Sequence, residues 1–298
     1  MKFGVREICD VVLRAKAPMT IGKTNFVKDE PVMYFDSAKT STVEGAATTV
    51  YATGGKGNAR LIAWEGERTV TFTMEDALMS PLGFSILSGA GVVEAAGGGQ
   101  ELNVHTTAKV SASVSSGTAS INLTGHFPEG TKLNTDAKAF VFQLDANGNI
   151  AKRLGAQTIS GSTITATSTG LGDETFTFLV DFYVKADKGV TQLEVTPDKF
   201  AGSYYLEADT LFRRQEDGVD MPAQFVIPNV KIQSAFNFAM ASSGDPSTFT
   251  FTMDAFPDYT KFDNKKKVLF ALQIIESDKL APSPEVASAM GDLGRKIK

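Results

Sequence analysis

Two histidines and one cysteine are the side chains of this sequence best suited to bind a metal or to act as a base or nucleophile. A zinc site built on His105 and His126 would need two or more carboxylates to complete it, so surface or turn histidines explain them better. Cys9 alone forms neither an internal disulfide nor a Cys-rich metal site, and a small buried side chain in a strand explains it best. We therefore predict no metal and no cofactor.

Two loops carry groups that phosphate or calcium sites use, but neither has the full pattern. Residues 54–57 (Gly-Gly-Lys-Gly) lack the spacing of a phosphate loop, and no helix follows to direct backbone amides at an anion. Residues 145–149 (Asp-Ala-Asn-Gly-Asn) resemble the start of a calcium loop, but Ala156 occupies the twelfth position, where an acidic ligand is required. An Asn-Gly hairpin turn explains that run better. With no nucleophile elbow before a helix either, we predict that the protein is not an enzyme.

The composition predicts a strand-rich globular chain with an acidic balance. The 298 residues are 42% hydrophobic and 21% charged, which allows a core in two or three domains. The net charge of −5 argues against general affinity for nucleic acid, but it is compatible with DNA that slides past without adhering. The charged N-terminus lacks a signal peptide, and no apolar run approaches the ~20 residues of a membrane helix, so we expect a soluble protein without a membrane segment.

One sequence phrase occurs twice. Residues 69–74 (Thr-Val-Thr-Phe-Thr-Met) return as residues 248–253 (Thr-Phe-Thr-Phe-Thr-Met), and both copies continue into an acidic residue and alanine. Each copy alternates threonine with a larger apolar residue, which is typical of a strand with one polar and one apolar face. The repetition suggests two related β units in one chain.

The first hundred residues contain a projecting segment, a strand pair and a helix. Residues 40–58 are small, polar and glycine-ended, which predicts an extended hairpin or loop that leaves the domain. Residues 60–64 and 68–74 are predicted to be two strands joined across residues 65–67 (Glu-Gly-Glu). Ser80 and Pro81 then form an N-cap and first helical position, and Gly89 a helix stop.

The remaining sequence predicts a discontinuous domain with an insertion. The glycines at 97–99 are the best domain boundary. Residues 97–188 alternate Ser and Thr with apolar residues between frequent turn signals, which indicates a small β-sandwich of immunoglobulin-like architecture. Residues 1–96 and 189–276 form the other domain. Residues 277–298, with two prolines, are predicted to be a tail that orders only against a partner or not at all.

Three segments carry a resemblance to a known family. They are 217–232 (Asp-Gly-Val-Asp-Met-Pro-Ala-Gln-Phe-Val-Ile-Pro-Asn-Val-Lys-Ile), 244–251 (Gly-Asp-Pro-Ser-Thr-Phe-Thr-Phe) and 61–68 (Leu-Ile-Ala-Trp-Glu-Gly-Glu-Arg). With the Thr/Phe strand and short helix that follow the last of these, they resemble the tail tube and tube-like structural proteins of tailed bacteriophages. The likeness covers roughly residues 1–95 and 190–276.

The resemblance implies a specific fold and assembly. We expect a mainly β protein, with a tail-tube-type β-sandwich or rolled barrel flanked by one short helix, plus the inserted sandwich as a decoration domain. Tail tube subunits close into rings, usually hexameric, which stack around a DNA channel, and a long hairpin reaches the adjacent ring. Residues 40–58 are the candidate hairpin, and the threonine-rich strand faces are candidates for the lumen. The residues predicted to contact other subunits or rings are Thr40, Thr42, Glu44, Thr48, Tyr51, Lys56, Arg60, Arg213, Arg214 and Asp217.

The predicted function is therefore that of a virion structural protein of the tail, assembled in the host cytoplasm. Its partners would be copies of itself, with sheath, tape-measure and baseplate proteins as further candidates, and DNA would pass without specific contacts. The alternatives are a baseplate, tail-terminator or capsid decoration protein, or a carbohydrate-binding adhesion module at residues 102–188. Tyr183 is the only Tyr or Trp in that region, which counts against a sugar-stacking platform. Deleting residues 45–57 is expected to leave a folded protein that no longer polymerises.

Overall fold

The computed structural model describes residues 2–5, 7–22, 24–96, 100–167, 171–238, 240, 242–243 and 247–276. Strands make up 62% of the chain and helix 3%, so the predicted mainly β fold with one short helix is confirmed within these residues. The chain divides into two compact units: unit 1 comprises residues 1–92 and 193–298, and unit 2 comprises residues 93–192. The predicted glycine joint at 97–99 and the predicted tail at 277–298 lie outside the described residues.

The elements are numbered here in chain order. The first part of unit 1 contains β1 (Phe3–Val5), β2 (Asp10–Ala15), β3 (Met19–Ile21), β4 (Thr24–Phe26), β5 (Pro31–Phe35), β6 (Ala38–Gly54), β7 (Ala59–Asp76) and α1 (Pro81–Ser88). Next come β8 (Gly91–Ala96), β9 (Leu102–Ser115), β10 (Thr118–Asn122), β11 (Lys132–Leu133), β12 (Lys138–Leu144), β13 (Ile150–Ser160), β14 (Thr163–Thr167), β15 (Thr175–Ala186) and β16 (Lys188–Glu194). The chain then returns to unit 1 with β17 (Ser203–Arg214), β18 (Asp220–Ile232), β19 (Phe249–Ala255) and β20 (Ala271–Ile274).

Unit 1 is built on a nine-stranded antiparallel sheet. Its main path runs β5-β2-β17-β18-β19-β7-β6, with β1 beside β17 and β20 beside β18. The alternation in β2 explains its place, because Val11, Leu13 and Ala15 point into the core while the residues between them face outward. Helix α1 covers the apolar side with Ile86 and Leu87, both almost fully buried.

The two copies of the repeated phrase are neighbouring strands of this one sheet. In β7 and β19 Phe72 lies opposite Met253 and Met74 lies opposite Phe251, and all four side chains are fully buried. Thr73 and Thr252 pair on the opposite face. The interpretation as two related β units is therefore wrong, because the repetition reflects two adjacent strands that meet the same core and the same polar face.

The helix follows its local sequence signals. Ser80 is the N-cap, and its hydroxyl oxygen accepts a hydrogen bond from the Gly83 backbone N–H at 2.9 Å. Pro81 takes the first helical position, and Gly89 ends the helix in the left-handed conformation with φ of 73°. A methyl group on Gly89 would lie 2.5 Å from the carbonyl carbon of Phe200, so both conformation and close approach require glycine there.

The predicted turn at residues 65–67 is wrong. Residues 59–76 form the single strand β7, which pairs along its length with β6. Gly66 has no positive φ; it lies beside Thr48 where the β6–β7 register shifts, and the Thr48 hydroxyl accepts a hydrogen bond from the Glu67 N–H at 2.9 Å. The glycine therefore accommodates a bulge, and the true turn is at residues 55–58.

Unit 2 is a small all-β body whose strands close on themselves. The pairing runs β15-β12-β13-β14-β10-β9, and β9 pairs again with β15, so that six strands form a barrel with β11 beside β15. Strand β13 pairs with β12 along most of its length, and its last residues pair with β14. Strand β9 pairs with β15 along most of its length, and its last residues pair with β10. These two strands therefore connect the two sides of the barrel. Phe178, Val180 and Phe182 of β15 are fully buried in its core. The immunoglobulin-like relationship stays a prediction.

Candidate assembly surface

The β6–β7 hairpin extends well beyond the sheet that holds its base. Strand β19 pairs with β7 only along residues 71–76, so in the described part of the chain residues 59–70 of β7 have β6 as their sole neighbour. Apart from Ala52 and Gly54, residues 44–69 are exposed. We call residues 44–69 the arm; at about 3.3 Å per residue each of its strands is roughly 35 Å long. An isolated two-stranded ribbon is only marginally stable in water. An arm of this length is therefore better explained if it packs against another molecule than if it stays in solvent.

The tip of the arm is a glycine-rich turn. Gly55, Gly57 and Asn58 have positive φ values of 78°, 84° and 51°, and the Asn58 N–H donates to the Gly55 carbonyl oxygen at 3.2 Å. Glycine and asparagine adopt this conformation most readily. The glycines of the segment that resembles a phosphate loop are therefore explained by a tight turn. Lys56 lies exposed within it.

One face of the arm is apolar. Val50 lies opposite Trp64 and Ala52 opposite Ile62, and the Leu61 side chain lies over Gly54, so these residues share a face. The exposed fractions of Val50, Leu61, Ile62 and Trp64 are 61%, 66%, 55% and 53%. Four large apolar side chains on one face of a solvated ribbon form the kind of patch that marks a protein interface.

The other face of the arm is polar. Thr49 lies opposite Glu65, and Thr53 lies opposite Arg60. The Arg60 guanidinium stacks over the Tyr51 ring at 4.1 Å from its centroid, a cation–π contact that stiffens the ribbon near its tip. The arm is therefore amphipathic, with its polar side suited to water or to hydrophilic neighbours.

Seven of the ten residues predicted to make contacts lie on this hairpin. Thr40, Thr42 and Glu44 are exposed near its base, opposite Glu75, Thr73 and Thr71. At the bulge the Thr48 hydroxyl accepts a hydrogen bond from the Glu67 N–H. The Arg60 guanidinium stacks on the Tyr51 ring, and Lys56 lies in the turn at the tip.

The other three predicted residues lie in a different hairpin, at the β17–β18 turn. The Arg214 guanidinium donates to both carboxylate oxygens of Asp217, at 2.9 and 2.6 Å, and Arg213 makes the same kind of pair with Asp220 at 2.6 and 2.7 Å. These hydrogen bonds hold the pKa values of Asp217 and Asp220 below their usual range. Both arginines thus stabilise their own turn, and the structure does not bring this group onto the arm.

The sheet of unit 1 turns a polar face away from its core. Threonines of β7 and β19 lie on it, and the outward carboxylates are Asp10, Glu44, Glu75, Glu207, Asp209, Asp220 and Asp254. Arg14, Arg213 and Lys231 are the cations on this face, where Arg14 pairs with Glu207 at 2.7 Å and Arg213 with Asp220. Partial burial, followed by the charges of Asp209 and Asp36, raises the pKa of Asp10. The face is hydroxyl-rich with an excess of carboxylates.

The sequence prediction missed the four apolar residues of the arm. The signal was present, because Ile62 and Trp64 alternate with smaller or polar residues as strand residues do. The sequence instead predicts a separate strand at residues 60–64 that turns at residues 65–67, and this prediction does not place Trp64 opposite Val50.

Two classes of site are absent from the part of the chain that the structure describes. It contains no group of three or more His, Cys, Asp or Glu side chains placed to hold a metal ion. Its one helix, Pro81–Ser88, has eight residues and is too short to cross a membrane.

Comparison with known proteins identifies a family match. The model of the YomU/Tube protein family matches residues 20–269, which covers most of the chain. A search of curated proteins finds no significant match. The family match confirms the resemblance to phage tail tube proteins, although it leaves the immunoglobulin-like insertion untested.

Proposed function

The chain belongs to the YomU/Tube protein family, and from that premise we propose that its copies assemble into stacked hexameric rings that form a phage tail tube for DNA. The observation that carries the proposal is the arm, a two-stranded ribbon with an exposed apolar face. Six subunits are proposed because the repeated strands belong to one sheet, so that each chain supplies one tube-forming unit.

The apolar face of the arm provides the contact between rings. Fully burying a large apolar side chain contributes about 1.5–3 kcal/mol. Because Val50, Leu61, Ile62 and Trp64 are each 53–66% exposed, burying the rest of all four against the next ring would contribute on the order of 5 kcal/mol per arm. Six arms per ring would then make stacking favourable even after the entropy cost of association.

The edges of the unit 1 sheet provide contacts within a ring. Within the described residues β5 and β6 are the terminal strands of the main path, each with one neighbour. A free strand edge presents unpaired N–H and C=O groups that readily pair with another chain. A head-to-tail contact of this kind, repeated with a rotation that closes, generates a ring.

The hydroxyl-rich, carboxylate-bearing face of the sheet is suited to the lumen. Phosphates are repelled by carboxylates and find few cations to bind, so DNA would pass without adhering. This proposal places the protein in the virion tail, after assembly in the host cytoplasm, with no enzymatic role. Unit 2, residues 93–192, would then be the decoration domain that the sequence predicts at 97–188, and sheath, tape-measure and baseplate proteins remain candidate partners.

Electron microscopy of the purified protein tests the proposal. Stacked rings or tubes about 100 Å wide, the size expected for six ~30 kDa subunits, are the expected result. Single rings that never stack would instead favour a tail-terminator or baseplate role. Persistent monomers, especially with binding to glycan arrays, would favour the adhesion alternative and overturn the proposal.

A shortened arm makes the test specific. The deletion of residues 45–57 considered from the sequence would leave residues 59–70, two thirds of β7, without a partner, because the deleted residues are one side of the hairpin. Removing residues 47–68 and joining Ala46 to Thr69 through Asn-Gly preserves their pairing and closes with a favourable two-residue turn. This variant is expected to stay folded and to form rings that do not stack. Tubes of normal length would show that the arm is not the contact between rings.

A further inference from the structure

A second exposed feature of unit 1 lies between β19 and β20. We call residues 256–270 the β19–β20 loop. Phe262 in this loop is 96% exposed, more than any other large apolar side chain in the described residues, and Phe256, Tyr259 and Phe270 are also partly exposed. Single surface apolar residues are common, but a completely exposed phenylalanine within an aromatic group indicates a partner.

The loop is held in place by contacts on both sides of Phe262. Asp258 and Val268 exchange backbone hydrogen bonds of 3.1 and 2.9 Å, and the Asp258 carboxylate pairs with Lys16, the residue that follows β2. The Lys261 N–H donates to the Tyr205 hydroxyl at 3.4 Å. Because the backbone is already fixed on both sides, little chain entropy would be lost when Phe262 binds.

The turn around Phe262 has its own hydrogen bonds. The Asp263 N–H donates to the Thr260 hydroxyl at 3.2 Å, and the Lys265 N–H donates to the Asp263 carboxylate at 2.8 Å. The phenylalanine therefore projects from a structured turn, which is the geometry of an anchor side chain that enters a pocket.

The charge around Phe262 is opposite to that of the whole chain. Between residues 258 and 267 there are four lysines (Lys261, Lys265, Lys266 and Lys267) and two aspartates, whereas the chain as a whole has a net charge of −5. The Lys261 and Lys267 ammonium groups lie over the rings of Tyr205 and Tyr259, at 5.3 and 5.4 Å from their centroids. A basic, aromatic projection on an acidic protein complements the surface of another copy.

We propose that Phe262 and the lysines beside it form a docking peg that inserts into an acidic, partly apolar surface of a second copy of this chain. The inference rests on the proposed function, because it adds a second contact to the one made by the arm. A duplex DNA partner fits less well, because a phenylalanine reaches the bases of a duplex only by unstacking a base step and kinking the DNA, which costs a few kcal/mol.

The experiment compares the critical concentration for assembly, measured by sedimentation, between the wild-type chain and two variants. Phe262→Ala removes the anchor, and the triple variant K265E/K266E/K267E reverses the charge. Both are expected to raise the critical concentration about tenfold or more, as truncation of a central anchor does. Phe140→Ala, the same truncation of an exposed phenylalanine in unit 2, serves as the matched control and is expected to leave it unchanged.

The outcomes separate this inference from the proposed function. Wild-type assembly that Phe262→Ala leaves unchanged overturns the peg while the tube proposal stands. If the wild-type chain forms only small closed oligomers, the tube proposal fails, and a shift of Phe262→Ala towards monomer in sedimentation velocity supports the peg. A wild-type chain that remains monomeric at high concentration overturns both. Loss of duplex DNA binding in the triple variant without any effect on self-association also overturns the peg, in favour of a DNA surface.

Discussion

Trp64 allows the role of the arm to be tested at one side chain. A tryptophan covers up to about 250 Å², and at 53% exposure about 130 Å² of it remains to be buried in a contact. At about 25 cal/mol per Å², this burial contributes about 3 kcal/mol, or roughly a hundredfold in the association constant. Trp64→Ser is therefore expected to raise the critical concentration for tube formation by about two orders of magnitude.

The same substitution should hardly change the stability of the monomer. In the monomer the side chain lies opposite Val50 on a ribbon outside the core and is 53% exposed, so the melting temperature measured by circular dichroism is expected to stay within a few degrees. Trp64→Phe, which keeps most of the apolar area, is the control and should assemble nearly normally. Assembly of Trp64→Ser at the wild-type critical concentration would refute the argument, as would a large loss of monomer stability.

Three further predictions concern the stability of unit 1 in urea. Gly89→Ala is expected to lower the free energy of unfolding by more than about 2 kcal/mol, because it combines a positive φ with a clash against Phe200. Gly55→Ala, with a similar φ of 78° and nothing within 4 Å, should lower it by about 1 kcal/mol. Equal losses in the two variants would contradict the packing argument. Phe72→Ala should cost about 3–5 kcal/mol because the ring is fully buried opposite Met253; a loss below 1 kcal/mol would show that the core is not packed as described. Burial raises the pKa of Tyr204 from 10.0 to about 12. The hydroxyl therefore loses its proton at lower pH in the unfolded chain than in the folded one. As the pH rises from 10 towards 12, up to about 2–3 kcal/mol of the free energy of unfolding should be lost. Tyr204→Phe should lack that part of the pH dependence, and an unchanged profile would contradict it.

The parts of the fold that depend on neighbouring residues were accessible from the sequence. The Ser80 cap, Pro81 and Gly89 define the helix because each acts within one turn of the chain. The alternation in β15 placed Phe178, Val180 and Phe182 in a core because a strand sends every second side chain to the same face.

The parts that depend on pairing between distant residues were not accessible. Gly66 has the sequence signature of a turn, and only the opposing Thr48 in β6 makes it a bulge. The repeated segments suggest two related β units because sequence similarity alone does not show that β7 and β19 lie side by side.

The candidate site divides in the same way. The small, polar and glycine-ended composition of residues 40–58 identified a projecting hairpin, but its return strand and its apolar face depend on the register of β6 against β7. Arg213 and Arg214 belong to a charged run of the sequence, which favours their prediction as contact residues. The sequence alone does not show that Asp220 and Asp217 are their ion-pair partners, because these pairs depend on the geometry of the β17–β18 turn.

A cryo-electron microscopy reconstruction of the assembled protein tests the central claim most directly. The account predicts hexameric rings in which residues 44–69 of each subunit lie against the next ring, with Trp64 buried there and the polar sheet face turned to the channel. Rings whose arms remain in solvent, or a lumen formed by any other surface of unit 1, would contradict it.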